Sequence, residues 1–293
     1  MTRPGSEEAA RATNLLPPLA ATLERLPSGG PGDEGMDLSA RPGVLEEPGW
    51  TVATDLVTDD DLLDDVIGRI GRAYGLENRA FAGTFLLRDV LWRVLSPAAA
   101  AFLAEGRLPD LRAENVAISL GEDGFIERVA YLGSRFLALP DDPEAGHPHA
   151  VVVSVEDLPD AGVRIPVSET YLAALIPALK GLGVRRGTRT LWRAAADVCA
   201  EAFIYVGREM DLEKEGVGLA RRLLAGPPPL SASLGYHVLE YPGGSEATRV
   251  RSTCCLYYKT GRGTCFTCPR KTDEERIRQL TSVMDKVREG EQG

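Results

Sequence analysis

Long apolar runs are missing from this sequence. Its apolar stretches meet a charge within about 10 residues, short of the roughly 18 that a helical membrane span requires, so no membrane span is expected. A basic surplus is missing too: 33 lysines and arginines stand against 43 aspartates and glutamates, a formal net charge of −10. A general nucleic-acid binder presents cationic surface to phosphate, so nucleic acid is not an expected partner. The opening MTRPGSEEAARAT carries early acids and lacks the apolar core of a secretory leader. A cytoplasmic, reducing compartment is the expectation, one in which thiols stay free or bind metal. The dinucleotide fingerprint is absent as well, because Gly181-x-Gly183-x-x-x-Gly187 has the wrong spacing and no strand leads into it. No internal repeat is visible.

What is there is ordinary globular composition, 44% hydrophobic and 26% charged, in a chain of 293 residues that can bury a substantial core. The pattern predicts an α+β fold: a predominantly helical body, a β-hairpin or small antiparallel sheet, and a small C-terminal module. Residues 1–48 read as a variable Pro/Gly-rich segment, 49–229 as the body and 230–293 as the module, with Gly226-Pro227-Pro228-Pro229 at the boundary.

Along the chain, Leu15, Leu16, Leu19, Leu23 and Leu26 form a short amphipathic stretch. Thr58 is the expected cap of a helix opened by Asp59, Asp60 and Asp61, acids that suit a positive helix start better than a metal site. Leu62, Val66, Ile70 and Tyr74 are its expected buried stripe. A second long helix, or a pair punctuated by Pro97, covers 79–105. Asn115 introduces a hairpin whose strands flank Gly121-Glu122-Asp123-Gly124. His147 and His149 lack a third ligand and read as a polar loop. A buried strand is expected over 151–155, and a helix capped by Ser168 over 169–182.

The next helix opens at Thr188 or Thr190 and presents Trp192, Ala195, Val198, Cys199 and Ala202 as a small-residue face, which makes Cys199 a buried hydrophobe. A helix over 213–224 follows, then strands at 236–241 and 247–250 around Pro242-Gly243-Gly244-Ser245. Thr272 and Glu275 form a capping box for a last helix, whose Ile277, Leu280, Met284 and Val287 fold back on the module.

Four of the five cysteines crowd into one segment: Cys254 and Cys255 side by side, nine residues, then Cys265 and Cys268 as C-x-x-C. Thiolates gathered this closely need a cation to hold them. Adjacent cysteines diverge and cannot form the C-x-x-C knuckle that a zinc ribbon uses twice. A dinuclear iron–sulfur cluster accommodates them better, since its thiolates are shared between two irons. Structural zinc stays open as the second choice, and a vicinal disulfide is weakest because it strains the bond geometry.

The segment, with Arg251 before it and Leu256-Tyr257-Tyr258 after its first pair, resembles the C-terminal signature of the FhuF-type ferric-siderophore reductases. The loop between the pairs is one residue shorter than that family's usual pattern. PDLRAENVAISLGEDG, shared also with siderophore-synthetase relatives, and the Leu191-Trp192 stretch extend the likeness. The resemblance implies that Cys254, Cys255, Cys265 and Cys268 ligate a [2Fe–2S] cluster in an iron–sulfur module, with siderophore binding on the body. It also implies one-electron reduction of a ferric siderophore, of hydroxamate type, by electrons from a separate ferredoxin or flavoprotein reductase.

No acid falls between Glu246 and Asp273, whereas Arg249, Arg251, Lys259, Arg262, Arg270 and Lys271 do. In a chain of net −10 this local inversion suits a negatively charged cluster, and Arg251, Lys259, Arg262, Arg270 and Lys271 are expected to attract the chelate or an acidic donor. Two alternatives remain: a non-redox binding protein whose four cysteines hold structural zinc, and a siderophore-biosynthesis relative. Against the latter, Gly133-Ser134 stands where a nucleotide site would place a metal-binding acid.

Overall fold

Asp59, not Thr58, caps the first long helix, its side chain accepting from the Asp61 and Leu62 amides at 3.0 Å each. The structure, a computed structural model, describes residues 17–29, 36–43, 48–241 and 244–290, without the side chains of 246 and 283–290. Leu15, Leu16, Pro242 and Gly243, and the side chains of Met284 and Val287, therefore lie outside the described residues. A short helix α1 (Pro18–Glu24) buries Leu19 and Leu23 as its pattern requires. After α2 (Ala53–Thr58) comes α3 (Asp60–Ala73), where Val66 and Ile70 carry the buried stripe with Leu63 and Ile67 beside them. Leu62 and Tyr74 sit partly buried at its margins.

A single helix, α4 (Arg79–Glu105), runs through Pro97. Proline removes one backbone donor and should break a helix in water. Here every residue from Val94 to Phe102 is buried, and packing holds the turn where hydrogen bonding cannot. Gly106, at φ 73°, ends the helix in the left-handed conformation.

The strands form small mixed sheets, so the chain is α+β. Strands β1 (Arg41–Pro42), β2 (Thr51–Val52), β4 (Val116–Leu120) and β5 (Ile126–Tyr131) pair in the order β1-β5-β4-β2, the β4–β5 hairpin turning over Gly121–Gly124 as expected. A second sheet orders β3 (Arg107–Pro109), β6 (Phe136–Ala138) and β7 (Ala150–Val152) as β3-β6-β7. The expected buried strand at 151–155 is instead the edge strand β7, with Val152 48% exposed.

The following helix also departs from expectation. It begins about Pro159, not at Ser168, after a turn in which the Asp157 amide donates to Ser154 Oγ at 3.1 Å. Wide, π-type turns at Pro159–Arg164 and Val167–Leu172 precede an α-helical end at Ala173–Gly181; together they are α5. A wide turn shifts the bonding register, which lets Pro166 stay inside.

Two helices complete the body. Helix α6 (Thr188–Glu209) packs against α4 and against α7 (Glu213–Ala225). A Cβ at Gly216 would meet the Phe203 carbonyl oxygen at 2.2 Å, so only glycine permits the α6–α7 approach. Cys199 is fully buried on α6, and burial pushes its thiol up to about 12, which fits a buried hydrophobe and not a ligand.

Past the prolines, Leu230 joins the core, and the hairpin β8 (Tyr236–Tyr241)–β9 (Gly244–Arg249) is held by Arg208 donating to the Ala247 carbonyl at 2.8 Å. The last helix, α8 (Asp273–Gly290), opens with the expected capping box: the Thr272 amide donates to Glu275 Oε2 at 2.8 Å and the Glu275 amide to Thr272 Oγ1 at 3.3 Å. Among the described residues no helix is long and apolar enough to cross a membrane.

Candidate metal centre and adjoining cleft

The approach to the cysteines is fixed by two acids one turn apart on α6. Asp197 is fully buried; Arg249 donates to its Oδ1 at 2.5 Å and to its backbone carbonyl at 2.8 Å. The Ser252 and Thr253 amides add bonds at 2.9 and 3.1 Å, and Ser252 Oγ a third at 3.1 Å. Glu201, 1% exposed, accepts from Arg251 Nε at 2.5 Å and pairs with Arg88 at 3.2 Å. Desolvation pushes Asp197 up and outweighs the Arg249 charge. Glu201 suffers the same burial, yet Arg251 and Arg88 together hold it below the usual carboxylate range.

Sequence reasoning missed both acids. Their signal was present: a spacing of four in the otherwise apolar run Ala194-Ala195-Ala196-Asp197-Val198-Cys199-Ala200-Glu201 puts two carboxylates on one buried face.

The sulfurs follow directly. Cys255 and Cys268 are buried, Cys254 and Cys265 partly so. Cys255 Sγ lies 3.7 Å from Cys265 Sγ. The Leu256 amide donates to Cys254 Sγ at 3.4 Å, and to make this turn Leu256 takes φ 66°. A branched side chain there costs about 1–2 kcal/mol, strain of the kind that gathers at working sites. Gly261 and Gly263, at φ 73° and 95°, complete the loop between the pairs. The C-x-x-C turn closes through the Cys268 amide to the Cys265 carbonyl at 3.2 Å.

Two further guanidiniums hold the cysteine backbone: Arg186 on the Cys254 carbonyl at 2.7 Å and buried Arg276 of α8 on the Cys268 carbonyl at 2.6 Å. The sulfur–sulfur hydrogen bond to Cys265, aided by Arg251, pulls the Cys255 thiol well below its ordinary value, and the same contact together with burial pushes Cys265 up.

The donor set fits a thiolate-bound iron or zinc centre. Two thiolates on one tetrahedral ion, with bonds near 2.3 Å, stand about 3.8 Å apart, and the Cys255–Cys265 separation of 3.7 Å matches. Among the described residues, no group of three or more His, Cys, Asp or Glu side chains is gathered closely enough to hold an ion. That includes His147 and His149, whose rings stand 5.3 Å apart.

The sequence-predicted cations divide into two sets. Arg251 is mostly buried, and its Nη1 reaches Cys265 Sγ at 3.9 Å. Against desolvation, Glu201 and the two sulfurs keep it charged. Lys271 donates to the Thr264 carbonyl at 3.3 Å and also bonds Gln279. Lys259, Arg262 and Arg270 are exposed; Arg262 lies over the Tyr74 ring at 5.2 Å and Arg270 over Tyr258 at 4.5 Å. Tyr257 turns inward, stacked on Phe85 at 6.2 Å.

Phe85 and Arg251 also line a cleft of about 410 Å³. It is lined by the aromatic rings of Phe85, Trp92, Phe125 and Tyr205 and by the charged groups of Arg88, Asp89, Glu201 and Arg251. Burial raises Asp89 to about 6, although the Ile126 amide, donating at 2.7 Å, counteracts it. A larger hollow of about 720 Å³, where α3 turns into α4 around Gly71 and Asn78, has no cysteine-segment residue in its lining.

No protein-family model matches the chain, and no curated protein sequence does. Among solved structures, aerobactin synthetase IucA of Klebsiella pneumoniae is 17% identical, covering 52% of this chain and 29% of that one at a TM-score of 0.43. Its ATP-bound form is 17% identical over 56% and 31%, with a TM-score of 0.45. Aerobactin synthetase IucC of the same organism is 17% identical over 59% and 32%, with a TM-score of 0.43. This chain thus spans about a third of the length of these siderophore synthetases.

Proposed function

We propose that this chain is a ferric-siderophore reductase that uses Cys254, Cys255, Cys265 and Cys268 to hold a [2Fe–2S] cluster and delivers one electron to a bound ferric hydroxamate. The observation that carries this reading is the 3.7 Å sulfur pair set beside an arginine that a buried carboxylate fixes in place. A bound cluster of this type supplies reversible one-electron chemistry. Arg251 lays fixed positive charge against Cys265, and the Leu256 amide turns the positive end of its dipole to Cys254, so added negative charge at the sulfurs is stabilised.

The electron comes from a reduced ferredoxin or flavoprotein. Hard oxygen donors grip ferric iron far more tightly than the larger, less charged ferrous ion. Gain of one electron therefore loosens the chelate: ferrous iron departs, and the freed hydroxamate oxygens take protons from water. No nucleophile or general base is required.

Protein purified without oxygen should contain iron and acid-labile sulfide in about equal amounts and absorb across roughly 400–600 nm. Cys265→Ser should retain the far-ultraviolet circular dichroism of the folded body while losing iron and ferric-chelate reduction. Wild-type reduction by that variant would remove Cys265 from the ligand set. A second reading, a non-redox binding protein with structural zinc, draws on the same separation, because tetrahedral zinc has the same sulfur spacing. A colourless protein with one zinc and no sulfide would establish it in place of the first.

A further inference from the structure

The cleft and the cysteine pair share a wall. Arg251 lines the cleft and also reaches Cys265 Sγ at 3.9 Å; Phe85 lines it too and stacks on Tyr257 of the cysteine segment. Anything in the cleft that touches the Arg251 guanidinium is therefore separated from a sulfur by that one group. The walls offer broad aromatic faces, with Trp92 and Tyr205 edge to face at 6.3 Å, suited to the methylene arms of a folded chelate. The charged lining is nearly balanced, because Arg88 and Arg251, both paired with Glu201, stand against the two carboxylates of Glu201 and Asp89. Apolar contact and shape dominate such a seat, and net attraction for an anion is small. The exposed cations Lys259, Arg262 and Arg270 contribute nothing to its lining.

From this juxtaposition we propose that the ferric chelate binds in the cleft walled by Phe85, Trp92, Phe125 and Tyr205, with Arg251 between it and the cysteines, and not on the basic loop. The proposal rests on the reductase reading for its ligand, and its test does not depend on electron transfer.

The gallium(III) complex of desferrioxamine E has the shape and charge of the ferric form and is not reduced under these conditions. Its binding to the full-length protein is to be followed by calorimetry, between about 50 and 300 mM salt. Saturable binding is expected, changing less than twofold over that range. Trp92→Ala should weaken it tenfold or more while Trp92→Phe stays within threefold, and Lys259→Ala with Arg262→Ala should leave it unchanged. Should Trp92→Ala fail to fold, Tyr205→Phe and Tyr205→Leu provide the pair: the first keeping affinity, the second losing it about fivefold. No binding, binding indifferent to the wall variants, or binding lost with Lys259 and Arg262 would each overturn the seat. Chelate binding intact in a protein shown to hold zinc would instead reject the reductase reading and leave the seat standing.

Discussion

The two halves of the cysteine segment are built on opposite principles. The half leading into Cys254 and Cys255 is embedded: Arg249 is 1% exposed, Asp197 gathers two guanidinium nitrogens, a hydroxyl and two amides, and Glu201 fixes Arg251. The half leading into Cys265 is an exposed turn over Gly261 and Gly263, each with nothing within 4 Å of an added Cβ. One side is a fixed foundation and the other a loop with room to close. The freedom is confined to that turn, because Cys268 beyond it is buried and Arg276 holds its carbonyl.

The largest expected effect falls on the foundation. Asp197→Ala strands a buried arginine, which should cost about 3–5 kcal/mol of unfolding free energy and lower the melting temperature accordingly. A loss below about 1 kcal/mol would mean that the first half is not anchored as described. In the loop, Gly263→Ala should cost only about 1–2 kcal/mol, from φ 95° alone, and denaturant titration would register it. An equal penalty at the two sites would erase the contrast. The smallest structural effect belongs to Lys259→Ala with Arg262→Ala, expected within about 0.5 kcal/mol on stability. That pair should instead flatten the salt dependence of reduction by an acidic donor, measured as rate against ionic strength.

Features carried by neighbouring residues were legible in the sequence. The capping box at Thr272 and Glu275, the Gly121–Gly124 hairpin and the buried Cys199 each depend on residues within a few positions of one another. The helix over 79–105 was read with its observed bounds, and burial around Pro97 makes it one helix and not a pair. The start expected at Ser168 was misread, because wide turns carry that helix through Pro166 from about Pro159.

The site divides in the same way. Clustering of the cysteines was visible, whereas the pairing of Asp197 with Arg249 spans 52 residues and that of Glu201 with Arg251 spans 50. The local charge inversion around the cysteines is accordingly smaller in space than in sequence, because α6 returns two negative charges to it. The cleft, assembled from α4, the hairpin turn, α6 and Arg251, has no linear trace at all.

Arg276, which holds the Cys268 carbonyl from α8, emerges from a ribosome eight residues after that cysteine. Asp197 and Glu201 are by then long synthesised, so a nascent chain has both acids of the platform before Cys254 arrives. The latch from α8 thus follows the cysteines in the order of synthesis, and it closes on the Cys268 side of the segment, opposite the platform.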